Sequence, residues 1–187
     1  MVGLSGLLIP IAVSAVLTFI VSALVWMVLP HHKKDWAALP NEDAVRNALN
    51  AQKAGPGQYM IPAGMMGGQG MKDPAIMKKF TEGPVGFITL RPPGQMGMGG
   101  PMAMSVVFYL VVSTLVAYVA GRTMPPGTDY LHVFRVVGAV AWLAYGFGAI
   151  PESIWFGRPW SVAIKGLADA LLMALVTAGT FGWLWPR

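Results

Sequence analysis

Four long apolar stretches, separated by polar and Gly/Pro-rich sequence, organise the chain. Over 2–29 and 102–120 no charged residue interrupts the run. Over 131–150 there is one, Arg135, and over 162–185 there are two, Lys165 and Asp169. Each run meets the length of about 20 residues that a helix needs to cross about 30 Å of hydrocarbon. The pattern predicts an all-α membrane protein with four transmembrane helices. Between helices 1 and 2 it places a small α+β insert rich in Gly, Met and Pro. The expected organisation is a first transmembrane helix at 1–29, an extramembrane insert at 30–101 and a three-helix transmembrane unit at 102–187. A secretory signal peptide is the alternative for the first run. The start MVGLSG lacks a basic n-region, the run is too long for an h-region, and no small-x-small cleavage site precedes HHKKDW, so a retained helix is expected.

Shorter patterns populate the insert. PNEDAVRNALNAQKAG predicts a helix with Asn41 as N-cap, Glu42 and Asp43 in the first turn and Gly55 as its stop. KDPAIMKKFTEG predicts a second, with Asp73 as N-cap, Pro74 at the first helical position and Gly83 as the stop. QYMIP and VGFITL, short apolar runs bounded by Gly and Pro, read as strands. With few large apolar groups the insert cannot form much of a core alone, and a flattened cap on the helices is expected.

Composition agrees with the pattern: 11% of residues are charged, against roughly 25% in a soluble domain, too few to cover a soluble surface. Charge adds an orientation. Lys33, Lys34, Arg46, Lys53, Lys72, Lys78, Lys79, Arg91, Arg158 and Lys165 fall on the face shared by 30–101 and 151–161, leaving Arg122, Arg135 and Arg187 for the other. The positive-inside bias therefore predicts a bacterial inner-membrane protein with a cytoplasmic insert and both termini outside. The basic excess is a topological signal, and no nucleic-acid partner is expected.

Candidate chemistry is sparse. AGMMGGQGM and RPPGQMGMGGPM are loops without the spacing or hydroxyl of a phosphate-binding P-loop. Nine of the thirteen methionines fall in the insert or at the mouth of the second span, where His31 and His32 also lie. Thioethers with imidazoles suit Cu(I), whereas Gly-Met tracts also make adaptable contacts with headgroups or partner subunits. With no cysteine for a cytosolic copper site, the adaptable loop is the reading adopted. His132 and the pair His31 and His32 belong to opposite faces, about 30 Å apart, so they cannot share a haem. No catalytic residue, cofactor or metal site is assigned.

The spans themselves are more informative. Ionisable groups inside a membrane are costly and mark functional positions by default. Glu152, Arg158, Lys165 and Asp169 are expected to converge at the inner end of the third and fourth spans. Lys165 and Asp169 share a helix face, which suits either a pair that keeps two helices in register or a proton or cation site. Arg135, one turn into its span, can snorkel outward. Gly166, Ala170, Ala174, Ala178 and Gly182 place a small residue at every fourth position, the ridge along which a second helix packs closely, in this chain or in a partner. Trp155, Phe156 and Trp160 around Arg158 read as interfacial anchors.

Taken together, LPHHKKDW, LPNEDAVRNAL, GPGQYMIP, YLHVF, GAIPESIWFGRPW and TAGTFGWLWP resemble a group of uncharacterised bacterial multi-pass inner-membrane proteins. The resemblance runs along nearly the whole chain and implies no activity, ligand or site. The expected function is non-enzymatic: an accessory or assembly subunit of a membrane complex, with the lipid bilayer and either a second copy or a partner membrane protein meeting the fourth span. The alternative is a small oligomeric transporter or ion- or proton-coupled carrier, resting on Glu152, Lys165 and Asp169.

Overall fold

The computed structural model describes residues 1–64, 70–94 and 97–187, the side chain of Met71 excepted. The expectation that Met65, Met66 and Met71 bind no metal thus lies outside the described residues, as does Met96. In chain order the elements are α1 (Leu8–Met27), α2 (Glu42–Ala51), β1 (Gly57–Ile61), α3 (Pro74–Glu82), β2 (Gly86–Leu90), α4 (Gly99–Thr123), α5 (Tyr130–Gly146), α6 (Ile150–Trp155) and α7 (Trp160–Trp183). The chain is mostly helical. Among the described residues, four helical segments, Leu4–Met27, Gly99–Thr123, Tyr130–Trp155 and Trp160–Trp183, are long and apolar enough to cross a membrane.

Two compact units result, Met1–Trp36 with Gly97–Arg187, and Ala37–Met96. In the second, Asn41 caps α2 by accepting from the Ala44 amide at 3.0 Å, and Asp73 caps α3 by accepting from Ala75 at 2.8 Å. Pro74 opens α3, where its missing N–H is no loss, and Gly83, at φ +67°, ends it. The α2 helix stops earlier than expected: Lys53, at φ +53°, breaks it two residues before Gly55. β1 and β2 pair antiparallel, Gly57 opposite Leu90 and Ile61 opposite Gly86, with α3 in the connection between them.

The first unit is the four-helix bundle. Its densest seam joins α5 to α7, where the small row meets glycines on α5. A Cβ on Gly146 would stand 2.8 Å from the Cβ of Ala170, and one on Gly138 would stand 3.4 Å from that of Ala178. The two pairs are eight residues apart on each helix, so antiparallel backbones approach over two turns. Ala174 lies between them, 1% exposed, in one buried cluster with Val137, Ala141 and Phe181. A Cβ on Gly182 would meet the ring of Tyr130 at 2.8 Å, whereas Gly166 has open space around it. The ridge is therefore used inside the chain, against α5, and Gly166 lies outside the contact. Trp142 adds a bond across the seam, donating its indole N–H to the Leu167 carbonyl at 3.0 Å.

The third apolar run is not one straight helix. After Gly146 the chain takes a tight turn over Phe147–Ala149 and restarts as α6. Pro151 has no N–H to continue the ladder, and Gly146 is where α7 comes too close for a side chain. At the other end of the bundle, the Val2 amide donates to the Gly121 carbonyl at 2.8 Å, and the Gly127 amide to that of Pro186 at 2.8 Å.

Candidate functional site

The α1 helix stops because of Pro30. The residue before a proline is pushed toward extended backbone, and Leu29 has ψ 136°. Pro30 then opens a single tight turn, Pro30–His32, continued by the Lys33 amide on the Pro30 carbonyl and the Asp35 amide on the His32 carbonyl. This fold-over directs His31, His32 and Asp35 at the first turns of α7, where Lys165 and Asp169 project one turn apart.

Five side chains then form one network. Asp169 accepts from His31 Nε2 at 3.0 Å and from His32 Nε2 at 2.7 Å, one bond to each carboxylate oxygen. His32 uses its other nitrogen, Nδ1, to reach Asp35 at 2.6 Å. Lys165 Nζ donates to the remaining Asp35 oxygen at 2.5 Å and to the His31 carbonyl at 2.7 Å. Trp26 stacks flat on His32, ring centroids 4.0 Å apart. His32, Asp35 and Asp169 are buried, and the His31 side chain, 32% exposed, forms the open edge.

The electrostatics follow from these contacts. Burial pulls the pKa of His32 down, but the hydrogen bonds and charges of Asp35 and Asp169 outweigh it and hold the imidazole above its ordinary value. The hydrogen bond from Lys165, and then that from His32, hold the Asp35 carboxyl below its ordinary value despite desolvation. The His32 ring thus lies between two carboxylates, Asp35 at Nδ1 and Asp169 at Nε2.

No family model, curated protein or solved structure matches the chain.

Lys165 and Asp169 do share a face, but they are not each other's partners. Lys165 turns to Asp35 and Asp169 to the two imidazoles. Glu152 and Arg158 do not join them: both side chains are exposed, outside this network. The sequence does not announce His31, His32 and Asp35 as partners of Lys165 and Asp169: there the histidines are weighed only beside the methionines and as haem ligands, and HHKKDW otherwise as a charged flank. A signal was present, because four alternating spans put the end of the first and the start of the fourth on one face. What the spacing lacked was lateral order, namely that α1 lies beside α7.

Below the network runs a ladder of hydroxyls. On α7, Asp169 is followed at successive turns by Met173 and Thr177, both buried. Tyr109 donates to the Met173 sulfur at 3.8 Å. Thr177 meets Thr18 at 3.1 Å and Tyr145 at 3.3 Å, and Ser14 donates to Ser113 at 3.0 Å. These pairs satisfy polar groups that would otherwise be stranded among apolar side chains, and they tie α1 to both α4 and α7.

Proposed function

We propose that the chain is a multi-pass protein of the bacterial inner membrane that acts without catalysis, as an accessory or assembly subunit of a membrane complex. Membrane embedding is supported by the large apolar side chains that the four long helices turn outward, among them Leu8, Ile20, Leu24, Leu115, Leu143 and Leu175. In water such continuous apolar surface is an aggregation liability, whereas in lipid it is the required exterior. Trp155 and Trp160 at one end and Trp183 at the other, all well exposed, suit the two interfaces.

The observation that favours an accessory role over a carrier is the filled interior. Beyond the hydroxyl ladder, Leu7, Val116, Ala117, Ala120, Val133 and Phe181 are at most 1% exposed and pack as one cluster. That half of the bundle is a solid core, and the network at the opposite mouth is suited to holding something rather than passing it through. The carrier reading keeps one observation of its own, the ladder from Asp169 through Thr177 to Ser14, which offers hydroxyls part of the way.

Purification in mild detergent at native expression, with identification of stoichiometric co-purifying membrane proteins, tests the proposal. A constant partner is the expected result. A pure homo-oligomer that dissipates a proton gradient in liposomes, and loses that flux on Asp169→Asn, would instead establish the carrier.

The orientation we propose is the one the basic residues favour, with the network's end of the bundle in the cytoplasm. Reporter fusions within 37–96 and after Arg187 are expected to report cytoplasm and periplasm respectively. The opposite pair of signals would invert the orientation and place the network on the periplasmic side.

A further inference from the structure

We propose that His31 Nε2, His32 Nε2 and a carboxylate oxygen of Asp169 form a binding site for a divalent transition-metal ion of the zinc type. The inference holds whether the chain is an accessory subunit or a carrier, and its test is independent of both.

Spacing comes first. The three ligand atoms lie within 4.8 Å of one another, and the two nitrogen–oxygen separations at Asp169 are 3.0 and 2.7 Å. Around an ion with bonds of about 2.1 Å, neighbouring ligand atoms stand about 3.0 Å apart at a right angle and about 3.4 Å at the tetrahedral angle. Each imidazole nitrogen thus stands near coordination spacing from one Asp169 oxygen, and gathering the trio onto one ion takes side-chain adjustment within the 4.8 Å that separates the ligand atoms. Each Nε2 faces a carboxylate oxygen, so an ion bound there displaces any Nε2 proton to solvent and takes its place.

Donor chemistry selects the ion. Two imidazoles with one carboxylate suit zinc and its divalent neighbours. Magnesium and calcium seek oxygen alone, and Cu(I) prefers the sulfur ligands that this trio lacks. Three protein ligands leave a coordination position free, and partly exposed His31 marks the side from which an ion arrives.

The surroundings are arranged as a metal site requires. A ligating histidine ordinarily gives its second nitrogen to a carboxylate, which fixes the ring and raises its basicity. His32 does this through Nδ1 to Asp35, and Lys165 holds Asp35 in turn. An ion pair between His32 and Asp169 alone accounts for one bond. It leaves unexplained why His31 aims a second imidazole nitrogen at the same carboxylate, and why Asp35 orients His32 from behind. A bound ion accounts for all three.

The full-length chain, carrying no polyhistidine tag, is purified in detergent and stripped with chelator. Zn2+ and Co2+ are titrated separately, with Mg2+ as the contrast. We expect one Zn2+ per chain by calorimetry and by metal analysis after desalting, no Mg2+ binding, and a visible Co2+ absorption spectrum characteristic of nitrogen and oxygen ligands. His31→Gln and Asp169→Asn should each weaken Zn2+ binding at least about 100-fold, and Asp35→Asn about 10–100-fold through loss of the supporting bond. His132→Gln should leave it unchanged. Trp26, stacked on His32, gives a local signal: Co2+ should quench fluorescence in the wild type and much less in Trp26→Phe. Absence of stoichiometric Zn2+ and Co2+ would overturn the proposal, as would undiminished binding in His31→Gln. Should Asp169→Asn fail to fold, the more exposed His31 position decides the matter.

Discussion

Ala174→Leu is expected to destabilise the bundle by about 1–3 kcal/mol, and to do so at any protein concentration. Ala174 is 1% exposed at the centre of the α5–α7 seam, between the Gly146–Ala170 and Gly138–Ala178 approaches. In lipid, helices gain little from simply burying apolar area, so close backbone packing carries much of their association. Three added carbons between the two close approaches cannot be absorbed by a rotamer change, because the neighbouring Val137 and Ala141 are themselves fully buried. The helices must separate, and the contacts on both sides of position 174 loosen with them. Unfolding in mixed detergent micelles measures the effect. Gly166→Leu is the internal contrast: that position belongs to the same row but has open space around it, so stability should be unchanged or slightly raised as a helix-breaking glycine is removed. If Ala174→Leu melted like the wild type as a monomer and failed only in a larger assembly, the seam inside the chain would not be where the small residues act.

The contrast between positions 166 and 174 also shows how far sequence alone reaches. Periodicity identified the row from Gly166 to Gly182 and required that a helix pack on it, but a repeat of four carries no name for the partner. Glycines at 138 and 146, eight apart like Ala170 and Ala178, matched it within the same chain, and each was unremarkable until paired with the other helix. Helix ends were legible wherever one residue dictates them: Asn41, Asp73 and Gly83 behave as their chemistry demands. Where the stop depended on a non-glycine entering the left-handed region, as at Lys53, or on two helices crowding a single position, as at Gly146, nothing local announced it. The network at the bundle mouth was half legible. Lys165 and Asp169 were marked by their cost inside an apolar run, and their spacing of four suggested that they pair. Lys165 and Asp169 do lie one turn apart, but each bonds instead to side chains in the turn that follows α1. Charges in a span select from every element that reaches their depth, and helix periodicity reports only one of those elements.

Lys165→Met is expected to lower the yield and melting temperature of the folded protein, and the added change Asp35→Leu to restore much of both. Asp35 has two partners in the native network, Lys165 at 2.5 Å and His32 at 2.6 Å, and its side chain is 4% exposed. Removing the lysine does not remove the charge that the lysine balanced. The carboxylate stays in the turn after α1 with one partner where it had two, and His32, shared with Asp169, cannot serve both as well. The His31 carbonyl loses a donor at the same time, which frees the turn that presents the imidazoles. Breaking one side of an ion pair whose other member is shielded from water is costly for this reason, whereas replacing both sides with apolar groups of similar size is often neutral or better. The double variant should therefore recover in yield and melting temperature, measured by fluorescence-detected size exclusion and thermal unfolding in one detergent. Recovery of the fold is not recovery of the site. His32 in the double variant no longer has a carboxylate behind Nδ1, so its ring is free to turn, and the Zn2+ affinity we propose should stay reduced although the bundle is sound. A double variant as unstable as Lys165→Met alone would mean that Lys165 acts through the His31 carbonyl or through its own aliphatic packing, and that Asp35 is a bystander to the stability of this end of the bundle.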